Sequence, residues 1–405
     1  MWKDDKVGNL CAVGDGAHAS IERAESGILY LSSKNFKKGS LELSQVDYIS
    51  PIDYNKHFKE TKAVTKPIYN DLLLGIIGSL GSPYIVKEGE VIGISSSVAI
   101  IRPGNSLNPQ FLFYYLTSDW AQDYIEAIKS GAAQGFISLD MLKSIPVKYP
   151  PLPLQQRIAA VLGRYDALLE NYQQQVAVLE GLAQEVYREW FVRGRCPGDE
   201  AGPEGELPAG WRIATLDEVA YDTRRIVKID DIDPDTAYVG LEHLSVKSIS
   251  ITATGTPDDI SSDKLAFEEG DILFGKIRAY LHKVCLAHFA GVCSTDAIVI
   301  RPRIKDALSF VLFTVFSERF IEYADLISNG TKMPRSEWSV LKTYQIILPD
   351  NRALAAFEEV ARPMLDKIAN IQKQSNYLRA TRDALLPRLL SGQLTVHEAE
   401  VILAN

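Results

Sequence analysis

The sequence predicts an α/β (α+β) architecture in which two copies of one domain are separated by a pair of long antiparallel coiled-coil helices. The first observation is an internal repeat: VAIIRP, ending at Pro103, recurs 199 residues later as IVIRP, ending at Pro302. The second is that both copies are followed by a long stretch of helical apolar spacing. The third is the length of 405 residues, which suits two domains better than one. Solenoid units span about 20–50 residues, so this repeat is a duplicated domain.

The repeat continues from the two prolines without a gap. The matching pairs are Phe111 and Phe310, Tyr124 and Tyr323, Gly131 and Gly330, Leu142 and Leu341, Pro150 and Pro349, Asn171 and Asn370, and Leu179 and Leu378. A single register for all of these pairs excludes chance similarity. Two similar modules present two similar surfaces, which suits a partner that itself has two parts.

The first copy reads as strands followed by helices. GILYL, DLLLGIIG and VAIIR are rich in aliphatic and β-branched residues and are bounded by Gly, Ser and Pro, which predicts strands. Helical spacing then predicts one helix over 111–128 and a short helix in SLDMLKSI with Ser138 as its N-cap. The second copy repeats this order, with strands in TAYVGL, GDILFGKIR and AIVIRP and a helix over 309–327.

Each copy leads into a long helix, over about 154–191 and about 352–390. Apolar residues recur there at close to 3.5-residue spacing, which is typical of helices that pack along their length. We expect a kink or break at Pro363 and at Pro387, because proline interrupts helical hydrogen bonding. The seam residues that we assign to a subunit or helix interface are Ile158, Tyr165, Tyr172, Leu179, Val186, Trp190, Ile368, Ile371, Leu378 and Leu385.

These elements predict five segments: a first domain over 1–149, a spacer helix over 150–195, an acidic linker over 196–210, a second domain over 211–348, and a distal helix with the C-terminal tail over 349–405. The net charge of −9 owes much to the linker, which holds Asp199, Glu200, Glu204 and Glu206 and no Lys or Arg. A mildly acidic chain does not exclude nucleic-acid binding, because binding depends on a local basic face.

Catalytic signatures are missing from the sequence. Gly275–Lys276 lacks the other residues of a nucleotide-binding P-loop, and Tyr149–Pro150–Pro151 has the wrong order for an amino-methyltransferase loop. The four cysteines form no C-x-x-C pair and have no histidine at a metal-like spacing, so we expect reduced thiols and no metal site. No apolar run reaches the roughly 18 residues of a membrane span, and the N-terminus lacks an apolar signal core. We expect a non-catalytic, cytoplasmic protein.

Three segments resemble one known family. PPLPLQQRIAAVLGRYDALLENYQQQVAVLEGLAQEVYREWF resembles the central helix of specificity subunits of type I restriction–modification systems. LRATRDALLPRLLSGQL resembles their distal helix, and GDILFGKIRAYL resembles a strand and turn of their target-recognition domains. The second domain begins with LPAGW, whereas the first begins almost at Trp2, which leaves either an upstream start or a shortened first domain.

The resemblance implies a subunit whose two target-recognition domains each read one half of a bipartite double-stranded DNA sequence. It also implies docking of two methyltransferase (modification) subunits on the long helices, with restriction/translocase subunits joining that core. The subunit itself would bind no cofactor, while its partners would use S-adenosylmethionine, ATP and Mg²⁺ for adenine-N6 methylation and ATP-dependent cleavage. The alternative is a coiled-coil scaffold that binds no DNA and carries two protein-binding heads.

Side chains that reach base edges carry the sequence specificity, whereas phosphate contacts position the protein. Three basic or polar loops and the loop after the helix of each domain are therefore our candidates. Gln134 could contact adenine, and Lys332 and Arg335 could contact phosphate or guanine. Arg102 and Arg301 recur in both copies, so we interpret them as structural. The candidate DNA-binding residues are Lys34, Asn35, Lys37, Lys38, Gln134, Arg224, Arg225, Lys228, Lys276, Arg278, Tyr280, Thr331, Lys332 and Arg335.

Overall fold

A computed structural model describes residues 2–37, 40–43, 45–59, 64–131, 135–198, 207–328, 330 and 333–404. The chain divides into two compact units: unit 1 comprises 1–168 with 378–405, and unit 2 comprises 169–377. Each unit therefore contains one α/β part and one end of each long helix. The segment bounds predicted from the sequence stay a prediction, since the compact units cut through both long helices.

Unit 1 is built on two sheets. The central sheet has the strand order Cys11–Asp15, Val98–Pro103, Leu72–Gly75 and Pro83–Ile85, with antiparallel neighbours throughout. A three-stranded sheet has the order Asp47–Ile49, Ile28–Leu31 and Ile92–Ile94, and its last pair is parallel. Smaller antiparallel pairs join Lys3–Lys6 to Pro146–Tyr149 and Phe36–Lys37 to Ser40–Leu41. Its shorter helices are Val7–Leu10, Pro51–His57, Pro109–Thr117, Asp119–Ile128, Leu139–Ser144 and Val396–Ala404, with a 3-10 turn at Ser33–Asn35.

Unit 2 repeats the central sheet with the order Ala220–Asp222, Ala297–Pro302, Ile272–Gly275 and Val284–Leu286. Its second sheet has the order Ile226–Val227, Lys264–Phe267, Gly291–Cys293 and Tyr238–Val239. Arg212–Thr215 pairs with Gln345–Leu348, as Lys3–Lys6 pairs with Pro146–Tyr149. Its shorter helices are Leu216–Val219, Leu308–Phe316, Glu318–Leu326 and Trp338–Leu341, with 3-10 turns at Ile229–Asp231, Pro257–Asp259 and Ala279–Leu281. The duplication predicted from the sequence is thus a duplication of topology.

The helix predicted as one piece in each copy is two helices. In unit 1 the break falls at Ser118, whose hydroxyl accepts a hydrogen bond from the Ala121 amide at 3.4 Å. In unit 2 it falls at Ser317, whose hydroxyl accepts from the Phe320 amide at 3.2 Å. A serine that caps a new helix satisfies the amides exposed at its start, so the chain turns there at little cost. The short helix with Ser138 as N-cap is confirmed.

The first long helix spans Leu152–Tyr187 and ends in a π-helical segment, Arg188–Val192. The second spans Asn351–Ser391 without interruption. Of the kink or break predicted at Pro363 and Pro387, the break is therefore wrong, and a kink stays a prediction. Each proline removes one backbone donor. The neighbouring side chains Leu365 and Leu385 are buried in the cores of units 2 and 1, respectively, and this packing stabilises the helix across both prolines.

The contacts inside each unit establish the antiparallel order of the two helices. In unit 1, Asp166 near the start of the first helix accepts a hydrogen bond from Arg382 near the end of the second, at 2.6 Å. In unit 2, Trp190 at the end of the first helix lies 5.8 Å, between ring centroids, from Phe357 near the start of the second. Among the described residues, no helix has the length and apolar character needed to cross a bilayer.

Candidate nucleic-acid interface

A buried ion pair supports the central sheet of each unit. Arg102 donates from Nε and Nη2 to both carboxylate oxygens of Asp71, each at 2.8 Å. Arg301 makes the same two bonds to Asp271, at 2.6 and 2.8 Å. Both aspartates are only 1% exposed. The prediction that Arg102 and Arg301 are structural is confirmed. The strand and turn that follow Asp71 in unit 1 and Asp271 in unit 2 therefore have the same support, and we call this arrangement the strand–turn frame.

In unit 2 the turn of this frame is hydrogen-bonded to a second loop, and the sequence predicts DNA contacts in each of these two segments separately. The Arg278 amide donates to the Pro334 carbonyl at 3.0 Å, and the Ser336 amide donates to the Lys276 carbonyl at 2.9 Å. Arg335 lies between these bonds, in an isolated antiparallel bridge. The structure therefore brings the backbones of Lys276, Arg278 and Arg335 next to one another, and we call this pair of segments the unit 2 face.

Unit 1 has the same backbone arrangement with different side chains. The Gly78 amide donates to the Gly135 carbonyl at 3.1 Å, and the Ile137 amide donates to the Ile76 carbonyl at 2.9 Å. Phe136 occupies the place of the bridging arginine and is 43% exposed. Two cations at Arg278 and Arg335 are thus replaced by a glycine and an aromatic ring, and we call this surface the unit 1 face.

Arg278 has a left-handed backbone conformation, with φ of 52°. The equivalent residue of unit 1, Gly78, has φ of 80°, a conformation that glycine adopts without penalty. An arginine there costs about 1 kcal/mol, because its Cβ crowds the backbone. Residues held in such conformations cluster at functional sites. The left-handed backbone at Arg278 is therefore a reason to test its side chain as a DNA contact.

Acidic side chains lie beside the cations of the unit 2 face. Arg335 Nε lies 3.6 Å from Asp296 Oδ1, and the Lys276 amide donates to the Asp296 carbonyl at 3.0 Å. Burial raises the pKa of Asp222, whereas the nearby charges of Arg224 and Lys276 act to lower it. Arg278 itself is exposed.

The other predicted cluster in unit 2 divides between two environments. Arg224 shares the surroundings of Asp222 with Lys276, as its effect on that carboxylate shows. Arg225 pairs with Glu268 at 3.3 Å and lines a depression of about 650 Å³ together with Asp231 and other acidic residues. Lys228 precedes the 3-10 turn Ile229–Asp231. Tyr280 belongs to the turn after Arg278 and is 53% exposed, so it remains available for stacking.

The basic loop of unit 1 is close to the unit 1 face. Ser97 connects them, since its hydroxyl accepts from the Ser33 amide at 3.0 Å and its carbonyl accepts from the Ile76 amide at 2.8 Å. Lys34 and Lys37 are exposed on this loop.

Asn35 requires a correction, because it is 2% exposed and its side chain is used within the loop. Its Oδ1 accepts from the Ser32 amide at 2.9 Å and its Nδ2 donates to the Glu42 carbonyl at 3.1 Å, so it is closed to a base edge. Four other candidates, Lys38, Gln134, Thr331 and Lys332, lie outside the described residues.

The predicted seam of the long helices is an internal interface. Ile158, Tyr165 and Leu385 are buried in the core of unit 1, which Leu378 flanks. In unit 2, Ile368 is buried in the core, and Leu179, Val186 and Trp190 pack against that core. Ile371 is also buried, and Tyr172 is half-buried. The buried side chains cannot dock a further subunit, which corrects that part of the prediction. The exposed apolar residues Val178 and Leu182 lie on the outer side of the first helix.

Several known proteins are similar to this chain. Residues 2–180 match the model of the type I restriction modification DNA specificity domain. A type I restriction enzyme specificity subunit, MjaIX of Methanocaldococcus jannaschii, is 26% identical over 98% of this chain and 94% of its own length. These matches support a specificity subunit of a type I restriction–modification system.

Two further known proteins are similar to this chain, one in sequence and one in fold. The EcoDI specificity subunit of Escherichia coli is 24% identical over 60% of the chain and 62% of its own length. The crystal structure of the S subunit of a type I restriction–modification system from M. genitalium has a TM-score of 0.58 at 15% identity, with 96% of each chain covered. That likeness establishes a shared fold. Among the described residues, no group of His, Cys, Asp or Glu side chains is placed to hold a metal ion.

Proposed function

We propose that this specificity subunit reads a two-part target in double-stranded DNA, with one half contacted by each unit. The observation that carries the proposal is the repeated strand–turn frame, which presents different side chains in the two units. A common frame with different contact residues suits two half-sites of different sequence.

In unit 2 the proposed contacts are Arg278, Arg335 and Lys276, with Tyr280 beside them. Arginine contacts guanine O6 and N7 through two hydrogen bonds, and both arginine and lysine neutralise phosphates. In unit 1 the exposed aromatic ring of Phe136 suits apolar contact with a thymine methyl group, and Lys34 and Lys37 suit phosphate contacts. The unit 2 half-site is therefore expected to contain G·C pairs.

The subunit has no catalytic role in this proposal. Two methyltransferase subunits dock on the outer faces of the long helices, where Val178 and Leu182 are exposed, and restriction/translocase subunits join that complex. S-adenosylmethionine, ATP and Mg²⁺ are used by those partners, in adenine-N6 methylation and in DNA cleavage. The long helices would then set the gap between the two half-sites.

Single-molecule sequencing of methylated adenines tests the proposal in cells that co-express the chain with a type I methyltransferase encoded beside it. We expect a methylated two-part motif with a constant gap. Binding of the purified complex to that motif should weaken about 10-fold or more in R278A and in R335A, because each lost base or phosphate contact is worth about 1–3 kcal/mol.

The matched control is R212A, which removes an exposed cation of unit 2 that pairs with Glu218 and is not among the candidate DNA contacts. Its affinity for DNA should stay within twofold of wild type at the same salt concentration. An intact complex that methylates no motif, and whose DNA affinity is equal in R278A, R335A and wild type, would support the protein-binding scaffold instead.

The docking surface has its own test. L182D adds a charge to an exposed position and should leave the fold intact while methyltransferase subunits no longer co-purify. L179D places the charge against the core of unit 2 and should lower the stability of that unit. Normal co-purification with L182D would place the docking surface elsewhere.

A further inference from the structure

A carboxylate of the first long helix is buried inside unit 2. Glu180 is 6% exposed, and its Oε1 accepts hydrogen bonds from the hydroxyls of Ser248 and Ser250, each at 2.8 Å. Burial raises the pKa of this carboxyl, while the two hydroxyls and the amide of Ile249 oppose that shift by stabilising the charge. A buried carboxylate is costly unless it is hydrogen-bonded, so this contact ties the helix specifically to the loop over 244–251.

The same loop supports the turn that carries the proposed DNA contacts. The Lys247 amide donates to the His282 carbonyl at 3.0 Å, and the Leu286 amide donates to the Ile249 carbonyl at 2.8 Å. His282 directly follows the 3-10 turn Ala279–Leu281, which Arg278 precedes. The loop therefore contacts the helix on one side and the end of the contact turn on the other.

Residues of this loop and of the contact turn have a strained, left-handed backbone. Lys247 and His282 have φ of 55° and 52°, and Arg278 at the other end of the turn has φ of 52°. Such conformations persist only where surrounding contacts hold them. His282 is held on two sides, by the loop and by a 2.8 Å hydrogen bond between its Nε2 and the Phe316 carbonyl. The turn thus depends on its support to present Arg278 and Tyr280.

We propose that Glu180 is a positioning residue for sequence recognition by unit 2: it holds the 244–251 loop, which in turn fixes the 278–282 turn against the DNA. This inference rests on the proposed function, because it requires that the turn contacts a half-site. It makes a residue of the spacer helix a determinant of base discrimination, with no contact between Glu180 and DNA.

The test uses the complete complex with its methyltransferase subunits and the variants E180Q and E180A. Glutamine keeps the volume and one acceptor but weakens the two charge-assisted bonds, and alanine removes them. E185Q is the control, since Glu185 lies on the same helix in exposed ion pairs with Arg188 and Arg193. Binding is measured to duplexes with the intact motif, with an altered unit 1 half-site, or with an altered unit 2 half-site.

Discrimination at the unit 2 half-site should fall roughly 10-fold in E180A, comparable to the loss of one base contact, and less in E180Q. Discrimination at the unit 1 half-site should be unchanged in all variants. Hydrogen exchange of residues 276–284 should rise in E180A and, to a smaller extent, in E180Q, without DNA present. E185Q should match wild type in every measurement.

Two results would overturn the inference in distinguishable ways. If E180Q and E180A discriminate at both half-sites as well as wild type does, Glu180 has no positioning role. The same holds if the two variants lose discrimination equally at the two half-sites. Either result leaves the proposed function intact. A wild-type complex that discriminates at neither half-site refutes the proposed function and the positioning role with it.

Discussion

The two units present the same backbone frame to their candidate DNA faces and fill it with opposite chemistry. Unit 2 places Arg278 and Arg335 where unit 1 has Gly78 and Phe136. The supporting ion pairs, Asp71–Arg102 and Asp271–Arg301, are the same in both. The residues that support the backbone of this fold are therefore different from the residues that we propose contact DNA. The buried ion pair is the same in both units, whereas the exposed positions differ.

A second comparison concerns the junction between the long helices and the α/β part of each unit. In unit 1 the junction is polar: Asp166 accepts from the Tyr114 hydroxyl at 2.5 Å and from Arg382 at 2.6 Å. In unit 2 it is aromatic: Phe191 of the first helix lies 5.1 Å, between ring centroids, from Phe310 of the α/β part, and Phe357 of the second helix lies 6.3 Å from Phe313. Both junctions hold the helices, and in unit 2 the contact of Glu180 with Ser248 and Ser250 adds to the aromatic packing.

The largest expected effect tests the common frame. D71N and D271N each remove the charge that compensates a partly buried arginine, which should destabilise the affected unit by about 3–5 kcal/mol. Hydrogen exchange should rise in residues 98–103 for D71N and in 297–302 for D271N. A large effect in one unit and none in the other would contradict the equivalence of the two frames.

A pH effect should distinguish the units next. Burial lowers the pKa of His288 in unit 2 from 6.5 to about 4, whereas the equivalent Lys87 of unit 1 is exposed. Between these values the unfolded chain binds a proton that the folded chain does not, so stability falls as pH drops from 6.5 to about 4. The loss should approach roughly 3 kcal/mol.

The measurement is denaturant unfolding of wild type and H288Q across this pH range, followed by hydrogen exchange in both units. H288Q should flatten the pH dependence of unit 2 and leave unit 1 unchanged. An identical slope in the variant would show that His288 is not the group responsible.

The effect of salt on stability should differ between mutations at the two helix junctions. D166N removes the charge between Tyr114 and Arg382 and should destabilise unit 1 by about 1–2 kcal/mol, with a smaller effect in 1 M NaCl because salt screens partly exposed charges. F357L in unit 2 should cost a similar amount that salt does not reduce. Unfolding at two salt concentrations checks both, and a salt-independent D166N effect would show that charge is not what holds the unit 1 junction.

The smallest effect concerns the strained turn. R278G restores the glycine of unit 1 and relieves the left-handed strain, so unit 2 should become more stable by about 0.5–1 kcal/mol. DNA affinity should fall at the same time, as in R278A. A stability loss would show that the arginine side chain supports the fold, and full DNA affinity would remove it from the contact surface.

Much of the fold could be read from the sequence because it depends on local patterns. The duplication, the strands around Asp71 and Asp271, and the two long helices follow from apolar spacing and repeated motifs. The breaks at Ser118 and Ser317 were missed because apolar periodicity continues across them, and capping by serine decides the turn. The unbroken helix at Pro363 and Pro387 was missed because its stabilisation comes from packing that is distant in sequence.

Only part of the candidate site could be predicted from the sequence. Lys276, Arg278 and Arg335 were selected as basic residues near strands or loops, but composition could not show that the first two meet the third. Asn35 was selected for its polarity, yet its side chain closes its own loop. Glu180 carried no sequence signal, since a glutamate on a long helix is usually exposed and only the contact with Ser248 and Ser250 distinguishes it from Glu185.

The sequence by itself determined that this protein has two related α/β parts and two long helices of the specificity-subunit family, because periodicity and duplication are properties of the chain. Only the tertiary structure decided which basic segments lie side by side, which polar residues are buried, and how a spacer-helix carboxylate contacts the loop that supports the contact turn. The physical reason is that hydrogen bonds and ion pairs between residues far apart in the chain depend on their positions after folding.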